Sequence, residues 1–315
     1  MLIALLAILV GLVMLTKAAD AFVGGAARLS VALKVPPVVI GAVVVGFGTS
    51  APEMVVSGIA STQGKLDIAV GNIIGSNVAN LTLVLGVSAL ICTMTVRSSV
   101  LRREAPLSAA SVVLFAVFVQ DGLERWEGIV LFVALVASLA YLFLGSREGS
   151  DELISEVDEY LDDEHVDHSV GRESVRTLIG LIGVVVGAQL TVTGASDIAA
   201  ELDLGEGFVG LTLVALGTSL PELMTAIAAA RKGEDELIIG NLLGSNLFNS
   251  LAVGATGGLL GPGPLEDGAL AGVATVAMLV VAFGAWLFMT TGRRVVRVEA
   301  IALLAAYAIT VPLVA

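Results

Sequence analysis

The chain has 315 residues, of which 57% are hydrophobic and only 14% charged, and its formal net charge is −13. Soluble domains carry about 25% charged residues, so this composition excludes an ordinary soluble enzyme and a protein that binds nucleic acid. The single cysteine, Cys92, excludes a scaffold held by disulfides. The acidic residues concentrate between positions 148 and 173, so the composition predicts an integral membrane protein with many spans and one acidic polar segment.

Ten apolar runs follow one another along the chain. Each can cross a hydrocarbon core of about 30 Å, or nearly so with its flanking residues. None alternates polar and apolar residues as a membrane strand would, so all ten are predicted to be helices. The runs lie at roughly 1–16, 37–60, 68–94, 105–120, 127–145, 174–195, 207–230, 237–260, 268–291 and 297–315. The first run has no basic residue before it, which favours a retained helix over a signal peptide.

Basic residues fall almost entirely in alternate loops. One set of loops contains 14 lysines and arginines, whereas the other contains only Lys65 and Arg125. By the positive-inside rule, the first set is cytoplasmic. Both termini are therefore predicted to lie outside, and the acidic segment 147–173 is predicted to be cytoplasmic, between the fifth and sixth helices.

Two segments of the chain repeat at a constant offset of 169 residues. Residues 46–80 read GFGTSAPEMVVSGIASTQGKLDIAVGNIIGSNVAN, and residues 215–249 read ALGTSLPELMTAIAAARKGEDELIIGNLLGSNLFN. Each copy lies in a half of five predicted helices, and an odd number of spans reverses the direction of the chain. The sequence therefore predicts an all-α membrane protein of ten helices, built as two inverted-topology repeats with a substrate site near the midplane.

This repeat also predicts the organisation of the chain. The first half would be 1–146, with its repeated segment at about 37–94, and the second half 174–315, with its repeated segment at about 207–260. Residues 147–173 would form a cytoplasmic linker.

Only two carboxylates lie deep within the apolar runs, and both belong to the repeat: Glu53 and Glu222. An ionised carboxylate there costs on the order of several kcal/mol unless it is neutralised. Since the spans offer no Lys, Arg or His as a partner, a bound cation or a proton is the simplest one. Two facing carboxylates would be neutralised by one Ca²⁺.

The neighbours of both glutamates are oxygen donors. Thr49 and Ser50 share a helical face with Glu53, and Thr218 and Ser219 share one with Glu222. The prolines at 52 and 221 lack an N–H, so each frees a carbonyl about one turn back. Hard oxygen ligands of this kind suit Ca²⁺ or Na⁺ rather than zinc or copper.

The helix after each glutamate carries a polar stripe and a pair of small residues. The stripes are Asn72, Ser76 and Asn80 in the first copy and Asn241, Ser245 and Asn249 in the second. The glycine pairs at 71 and 75 and at 240 and 244 would let helices approach closely. Asn77 and Asn246 lie off the stripes and are predicted to satisfy backbone groups.

These motifs resemble the α-repeats of the sodium/calcium exchanger family, within the calcium/cation antiporters. The resemblance rests on Gly-Thr-Ser-x-Pro-Glu at 48–53 and 217–222 and on Gly-Asn-x-x-Gly-Ser-Asn at 71–77 and 240–246. It implies that the first and sixth helices slide across the remaining bundle to alternate access.

The resemblance also implies a set of ligands. The Ca²⁺ ligands would be Glu53, Glu222 and the backbone carbonyls of Thr49 and Thr218. Na⁺ would use the same carboxylates with Ser50, Ser76, Ser219, Ser245 and the carbonyls of Gly46 and Ala215. Asn80 and Asn249 would line the centre of the site.

One position departs from the pattern. Some prokaryotic members carry Asp where Asn249 stands, so here the site has two acids, which removes one possible carrier of protons or cations. Proton-coupled exchangers of the superfamily typically show Gly-Asn-x-x-Glu in place of Gly-Thr-Ser-x-Pro-Glu, and on that feature Na⁺ is favoured over H⁺.

The predicted function is therefore secondary active exchange of Na⁺ for Ca²⁺ across the plasma membrane. The alternative is an H⁺/Ca²⁺ antiporter that uses the same glutamates. A passive cation channel is less favoured, because a two-fold inverted repeat is typical of carriers. No zinc motif, catalytic triad or cofactor fingerprint indicates an enzyme, and no cofactor is expected. The expected partners are the lipid bilayer and inorganic cations, and the chain is expected to function as a monomer.

Overall fold

The structure is a computed structural model that describes residues 1–32, 50–96, 98–145, 170–233 and 235–313, and this part of the chain is almost entirely helical. The helices before the linker are α1 Leu2–Ala32, α2 Ala51–Thr62, α3 Leu66–Ile91, α4 Ser98–Arg102, α5 Glu104–Phe118 and α6 Arg125–Gly145. Those after it are α7 Val170–Leu202, α8 Glu206–Thr218, α9 Leu220–Lys232, α10 at 235–260, α11 Leu270–Thr290 and α12 Arg297–Leu313. The two-residue strands β1 Met94–Thr95 and β2 Arg294–Val295 pair antiparallel.

Several of these helices can cross a membrane. Within the described ranges, five segments are long and apolar enough to do so, and the bent pair α8 and α9 makes a sixth candidate. The five are Leu66–Ile91, Val100–Asp121, Arg125–Leu142, Val170–Leu202 and Leu270–Thr290. The segment α3 is the most deeply buried of them, so it forms the centre of the bundle.

The helices follow the apolar runs closely, with informative differences at three boundaries. The first run was expected to end at residue 16, but α1 continues to Ala32 because it packs along α7 over its whole length. The sixth helix begins at Val170, inside the expected linker. The run 207–230 is interrupted at Ser219, where α8 and α9 meet at 43°. Residues 33–49 and 146–169, with most of the second run and of the linker, lie outside the described residues.

The helices α1 and α7 form a tightly packed antiparallel pair. A Cβ added at Gly187 of α7 would lie 2.8 Å from the backbone nitrogen of Leu15, and one at Gly194 would lie 2.7 Å from the carbonyl oxygen of Ala4. Such distances are shorter than side chains tolerate, so the glycines permit backbone-to-backbone contact. Near one end of the pair, Arg28 donates from Nε to Glu173 at 2.8 Å.

Small residues also bring α3 against α8. A Cβ at Gly71 would lie 2.3 Å from the carbonyl oxygen of Gly207, and one at Gly75 would lie 2.2 Å from that of Leu211. The expected role of this glycine pair is therefore confirmed. A Cβ added at either of the equivalent glycines, at 240 and 244, would have no atom of another described residue in contact within 4 Å.

The helices α3 and α10 also run antiparallel, and an acid at the start of each holds the segment that follows the other. The Asp67 carboxylate, in the first turn of α3, accepts the backbone N–H groups of Glu266 and Asp267 at 3.1 and 2.9 Å. The Asp235 carboxylate, at the start of α10, accepts the backbone N–H of Thr95 at 3.0 Å. Both ends of this helix pair are thus fixed by hydrogen bonds.

Equivalent elements occur at the offset of 169 residues. Met94 of β1 pairs with Val295, and its equivalent, Gly263, bridges to Leu123. Both α3 and α10 contain one π-helical turn, at Asn80–Val84 and Asn249–Val253. The sequence repeat is therefore matched by local structure at both rims and in the middle of the two helices.

Candidate cation-binding site

The two motif helices begin in the same way. Ser50 is the N-cap of α2 and Ser219 that of α9, each with proline second and glutamate third in the helix. An N-cap serine usually accepts a backbone N–H of the first turn, but neither side chain does so here. Both hydroxyls are buried and without a hydrogen-bond partner among the described residues, so they remain available to another group.

Glu53 and Glu222 are the two buried charges of the site. Each is only 1% exposed, and Asn72 connects the Glu53 backbone to Thr218, four residues before Glu222. Neither takes part in the ion pairs formed by the described part of the chain. Their position in the first helical turn favours the ionised form, yet two adjacent anions repel each other in a medium of low dielectric. The pair is therefore suited to hold positive charge.

Most of the predicted ligands have an oxygen that is buried and makes no hydrogen bond to a described residue. In the described ranges, seven of the residues predicted for the site each have a buried oxygen that makes no hydrogen bond: Ser50, Glu53, Ser76, Asn80, Ser219, Glu222 and Asn249. Buried polar atoms of folded proteins are nearly always paired. Carboxylate, hydroxyl and amide oxygens gathered from both repeats are the donors that Na⁺ and Ca²⁺ prefer, so the residues fit a hard cation.

Asn72 connects elements of the two repeats. Its amide nitrogen donates to the Ser57 hydroxyl at 3.1 Å and to the Glu53 backbone carbonyl at 3.5 Å. Its amide oxygen accepts the Thr218 hydroxyl at 3.1 Å. The side chain of Asn72 thus holds α2 and the end of α8 together beside the carboxylates. The hydroxyl of Thr218 is used in this contact, whereas its carbonyl is the atom predicted to bind Ca²⁺.

The remaining predicted ligands are placed differently. The Ala215 carbonyl accepts the Ser219 N–H at 3.0 Å. The Thr218 hydroxyl lies 3.3 Å from the same carbonyl, but its single proton is donated to Asn72 at the shorter distance of 3.1 Å. Because a carbonyl has two lone pairs, one lone pair of Ala215 remains for Na⁺. Ser245 is buried. Gly46 and Thr49 lie outside the described residues.

The two asparagines off the stripes behave differently. Asn246 donates to the backbone carbonyl of Asn77 at 3.4 Å, as expected. The expectation for Asn77 is wrong, because its amide donates to the Ser250 hydroxyl at 3.0 Å and to the sulfur of Met278 at 3.5 Å. Ser250 stands where the first repeat has Leu81, so a hydroxyl present in one repeat redirects the amide.

Three features of the site were not identified in the sequence. Ser57, one helical turn after Glu53, completes the bonding of Asn72, and its spacing of four residues could have revealed it. Ser250 could have been found as a polar residue without an equivalent in the other repeat. The π-helical turns that start at Asn80 and Asn249 leave no pattern in the sequence, although such turns are frequent at functional sites.

In the described ranges, no cluster of three or more His, Cys, Asp or Glu side chains could hold a metal ion. Two carboxylates supplemented by neutral oxygens are the kind of ligand that alkaline-earth cations prefer.

The chain matches the family model described as sodium/calcium exchanger protein over residues 3–144 and 174–314. It is 30% identical to the sodium/calcium exchanger MaX1 of Methanosarcina acetivorans, over 96% of this chain and 95% of that one. It is 38% identical to the inner membrane protein YrbG of Escherichia coli, over 89% and 87% of the two chains. A solved structure of the sodium-calcium exchanger NCX_Mj, soaked with Na⁺ and Sr²⁺, matches with a TM-score of 0.64 at 34% identity, over 99% of this chain and 98% of that one.

Proposed function

Because the chain belongs to the sodium/calcium exchanger family, we propose that it exchanges Na⁺ for Ca²⁺ at the site of Glu53 and Glu222. The observation that carries this proposal is the set of buried oxygens, among the predicted ligands, that have no hydrogen-bond partner in the described structure; they come from both repeats and include one oxygen of each glutamate. The relative MaX1 is named a sodium/calcium exchanger, and NCX_Mj was soaked with Na⁺ and Sr²⁺.

The charge of the site couples binding to transport. Two ionised carboxylates carry a charge of −2, which is costly to move through a barrier of low dielectric. One Ca²⁺ or several Na⁺ ions that use overlapping oxygens lower this cost. The protein therefore changes its access only when loaded, and an inward Na⁺ gradient drives Ca²⁺ outward.

The proposed ligands are those that the family resemblance implies. Ca²⁺ binds the carboxylates of Glu53 and Glu222 with the carbonyls of Thr49 and Thr218. Na⁺ shares the carboxylates and adds Ser50, Ser76, Ser219, Ser245, Gly46 and Ala215. Asn80 and Asn249 line the space between them.

The moving part is the pair of α1 and α7. Their glycine contacts join them into one body, while α3 and α10 are fixed at both rims by Asp67 and Asp235. We propose that this pair slides past α2 and α8, and so exposes the carboxylates to each side of the membrane in turn.

The proposed architecture has ten spans in two inverted halves, 1–146 and 174–315, in the plasma membrane. The antiparallel course of α3 and α10 supports the inversion. In this arrangement both termini lie outside, the linker 147–173 lies in the cytoplasm, and the protein functions as a monomer.

Uptake of radioactive Ca²⁺ into proteoliposomes tests the function. The vesicles are loaded with Na⁺ and diluted into medium without Na⁺, in the presence of a proton ionophore. We expect uptake that requires internal Na⁺ and is insensitive to the ionophore. Uptake that ignores Na⁺ but follows an imposed pH gradient, once the ionophore is omitted, would show instead an H⁺/Ca²⁺ antiporter in which the same glutamates carry protons.

A further inference from the structure

Two side-chain amides, those of Asn80 and Asn246, link α3 to α10 as a chain of hydrogen bonds. The Asn246 amide nitrogen donates to the backbone carbonyl of Asn77 at 3.4 Å. The Asn80 amide nitrogen in turn donates to Oδ1 of Asn246 at 3.1 Å. All three residues are at most 1% exposed, so none of these bonds competes with bulk water.

The direction of this chain is fixed by its backbone end. A carbonyl can only accept, so Asn246 must turn its nitrogen toward Asn77 and its oxygen toward Asn80. Asn80 must then turn its nitrogen toward Asn246. The Asn80 oxygen is left over, and it is buried with no hydrogen-bond partner in the described structure. The orientation thus follows from the bonding pattern rather than from a choice between two similar atoms.

The equivalent positions of the other repeat do not form this chain. Asn77 occupies the place of Asn246, but it donates to Ser250 and Met278. Its oxygen makes no hydrogen bond to a described residue, and neither does the oxygen of Asn249. Since Leu81 stands at the position equivalent to Ser250, no hydroxyl draws Asn246 away from Asn80. Among the described residues, the amide of Asn80 is therefore held in a defined orientation by its neighbour, and that of Asn249 is not.

We propose that Asn246 is a positioning residue, which holds the amide of Asn80 with its oxygen toward the transported cation. This inference rests on the proposed function, because it takes the site to bind cations. If the amide could rotate, Asn80 would present its positively polarised NH₂ group to the cation for part of the time. Hydrogen bonds in series polarise one another, so the chain also strengthens the negative end of the Asn80 dipole.

Equilibrium binding of radioactive Ca²⁺ to the purified full-length protein tests this role. Asn246→Leu removes both hydrogen bonds at nearly constant volume. We expect about tenfold weaker binding, as is common when a partner of a metal ligand is lost. Thr256→Val is the matched control, since it lies on the same helix, its hydroxyl donates to the Ala252 carbonyl of that helix at 2.8 Å, and the bonds of Asn246 stay in place. Its dissociation constant should stay within about twofold of the unsubstituted protein.

A double-mutant cycle separates positioning from a general structural effect. If Asn246 acts through Asn80, then Asn246→Leu should cause no further loss in a protein that already carries Asn80→Ala. Losses that multiply in the double variant would overturn the proposal. Should Asn246→Leu fail to fold, as judged by gel filtration, Asn246→Ala removes the same two bonds and enters the same cycle.

The Na⁺-dependent uptake of the unsubstituted protein is measured in parallel. A protein that binds Ca²⁺ without exchanging it for Na⁺ would refute the proposed function, while the ratios of dissociation constants would still decide the role of Asn246. Failure of the unsubstituted protein to bind Ca²⁺ would overturn both.

Discussion

The pair of α1 and α7 and the pair of α3 and α10 are held together by different forces. Glycines bring the backbones of α1 and α7 into direct contact, whereas hydrogen bonds donated by asparagine amides join α3 to α10. Close packing of small residues makes a rigid body but fixes no partner outside it. Hydrogen bonds with defined donors fix the position of individual oxygens. Packing therefore joins α1 and α7 into one unit, whereas the hydrogen bonds between α3 and α10 fix the orientation of individual side-chain oxygens.

We expect the largest effect from neutralising Glu53 on α2 or Glu222 on α9, which lie outside both helix pairs. Glu53→Gln or Glu222→Gln removes half of the negative charge that balances Ca²⁺ and should reduce Na⁺-dependent Ca²⁺ uptake to the level of empty liposomes. Unchanged gel filtration and thermal unfolding would show that the fold is intact. Retained exchange in either variant would contradict the assignment of the site.

Adding one methyl group between α1 and α7 should test how closely the two helices pack. Gly187→Ala places a Cβ 2.8 Å from the backbone nitrogen of Leu15, so α1 and α7 must separate. We expect the free energy of unfolding to fall by about 1–3 kcal/mol. Gly171→Ala, on the same helix with no atom within 4 Å, is the control and should not destabilise the protein, since alanine favours the helix. Equal stability of the two variants would refute the close contact.

Removing the Thr218 hydroxyl should separate its contact with Asn72 from the proposed role of the Thr218 carbonyl as a Ca²⁺ ligand. Thr218→Val keeps the backbone carbonyl but breaks the bond to Asn72. We expect the KM for Ca²⁺ to rise by about tenfold with a smaller change in maximal rate, as for other partners of metal ligands. Thr218→Val and Asn72→Ala should be non-additive, because they remove one shared contact.

The hydroxyls of α2 offer a matched pair for the same network. Ser57 accepts the Asn72 amide, whereas Ser61, one turn later, makes no hydrogen bond among the described residues. Ser57→Ala should therefore raise the KM for Ca²⁺ by a few fold, and Ser61→Ala should leave it unchanged. The same KM in both variants would exclude Ser57 from the network.

The smallest effect is expected from a substitution of Asp67, at the start of α3. Asp67→Asn turns one acceptor oxygen into a donor and opposes one of the two N–H groups that Asp67 binds. Thermal unfolding should show a loss of about 1 kcal/mol, with Na⁺-dependent uptake nearly unchanged. Asp121→Asn on the exposed surface is the control and should have no measurable effect on stability.

The residues of the candidate site could be predicted because two unusual acids stand inside apolar runs that repeat. The cost of burying charge points to Glu53 and Glu222, and helical spacing then adds Ser50 and Ser219. The structure then adds burial and the missing hydrogen bonds. The extent of α1 could not be predicted from hydropathy, since its packing against α7 continues beyond the apolar run 1–16.

The hydrogen-bond partners of the asparagine side chains could not be predicted from the sequence either. Asn77 and Asn246 occupy equivalent places in identical motifs, and yet they bind different groups, because one repeat has Ser250 at the position where the other has Leu81. A motif fixes which donors and acceptors are present, but the neighbouring helix determines which of them meet. For the same reason the contact between Asn72 and Thr218 could not be predicted, because 146 residues separate them in the sequence.

The exchanged rim contacts make each half incomplete without the other. Asp67 of the first half holds the segment after α10, Asp235 of the second holds the segment after α3, and each paired strand or bridge takes one partner from each half. Each half also contributes one of the two glutamates. Two separately synthesised halves would therefore behave as the subunits of an obligate heterodimer, in which transport is recovered by complementation and neither fragment is stable alone.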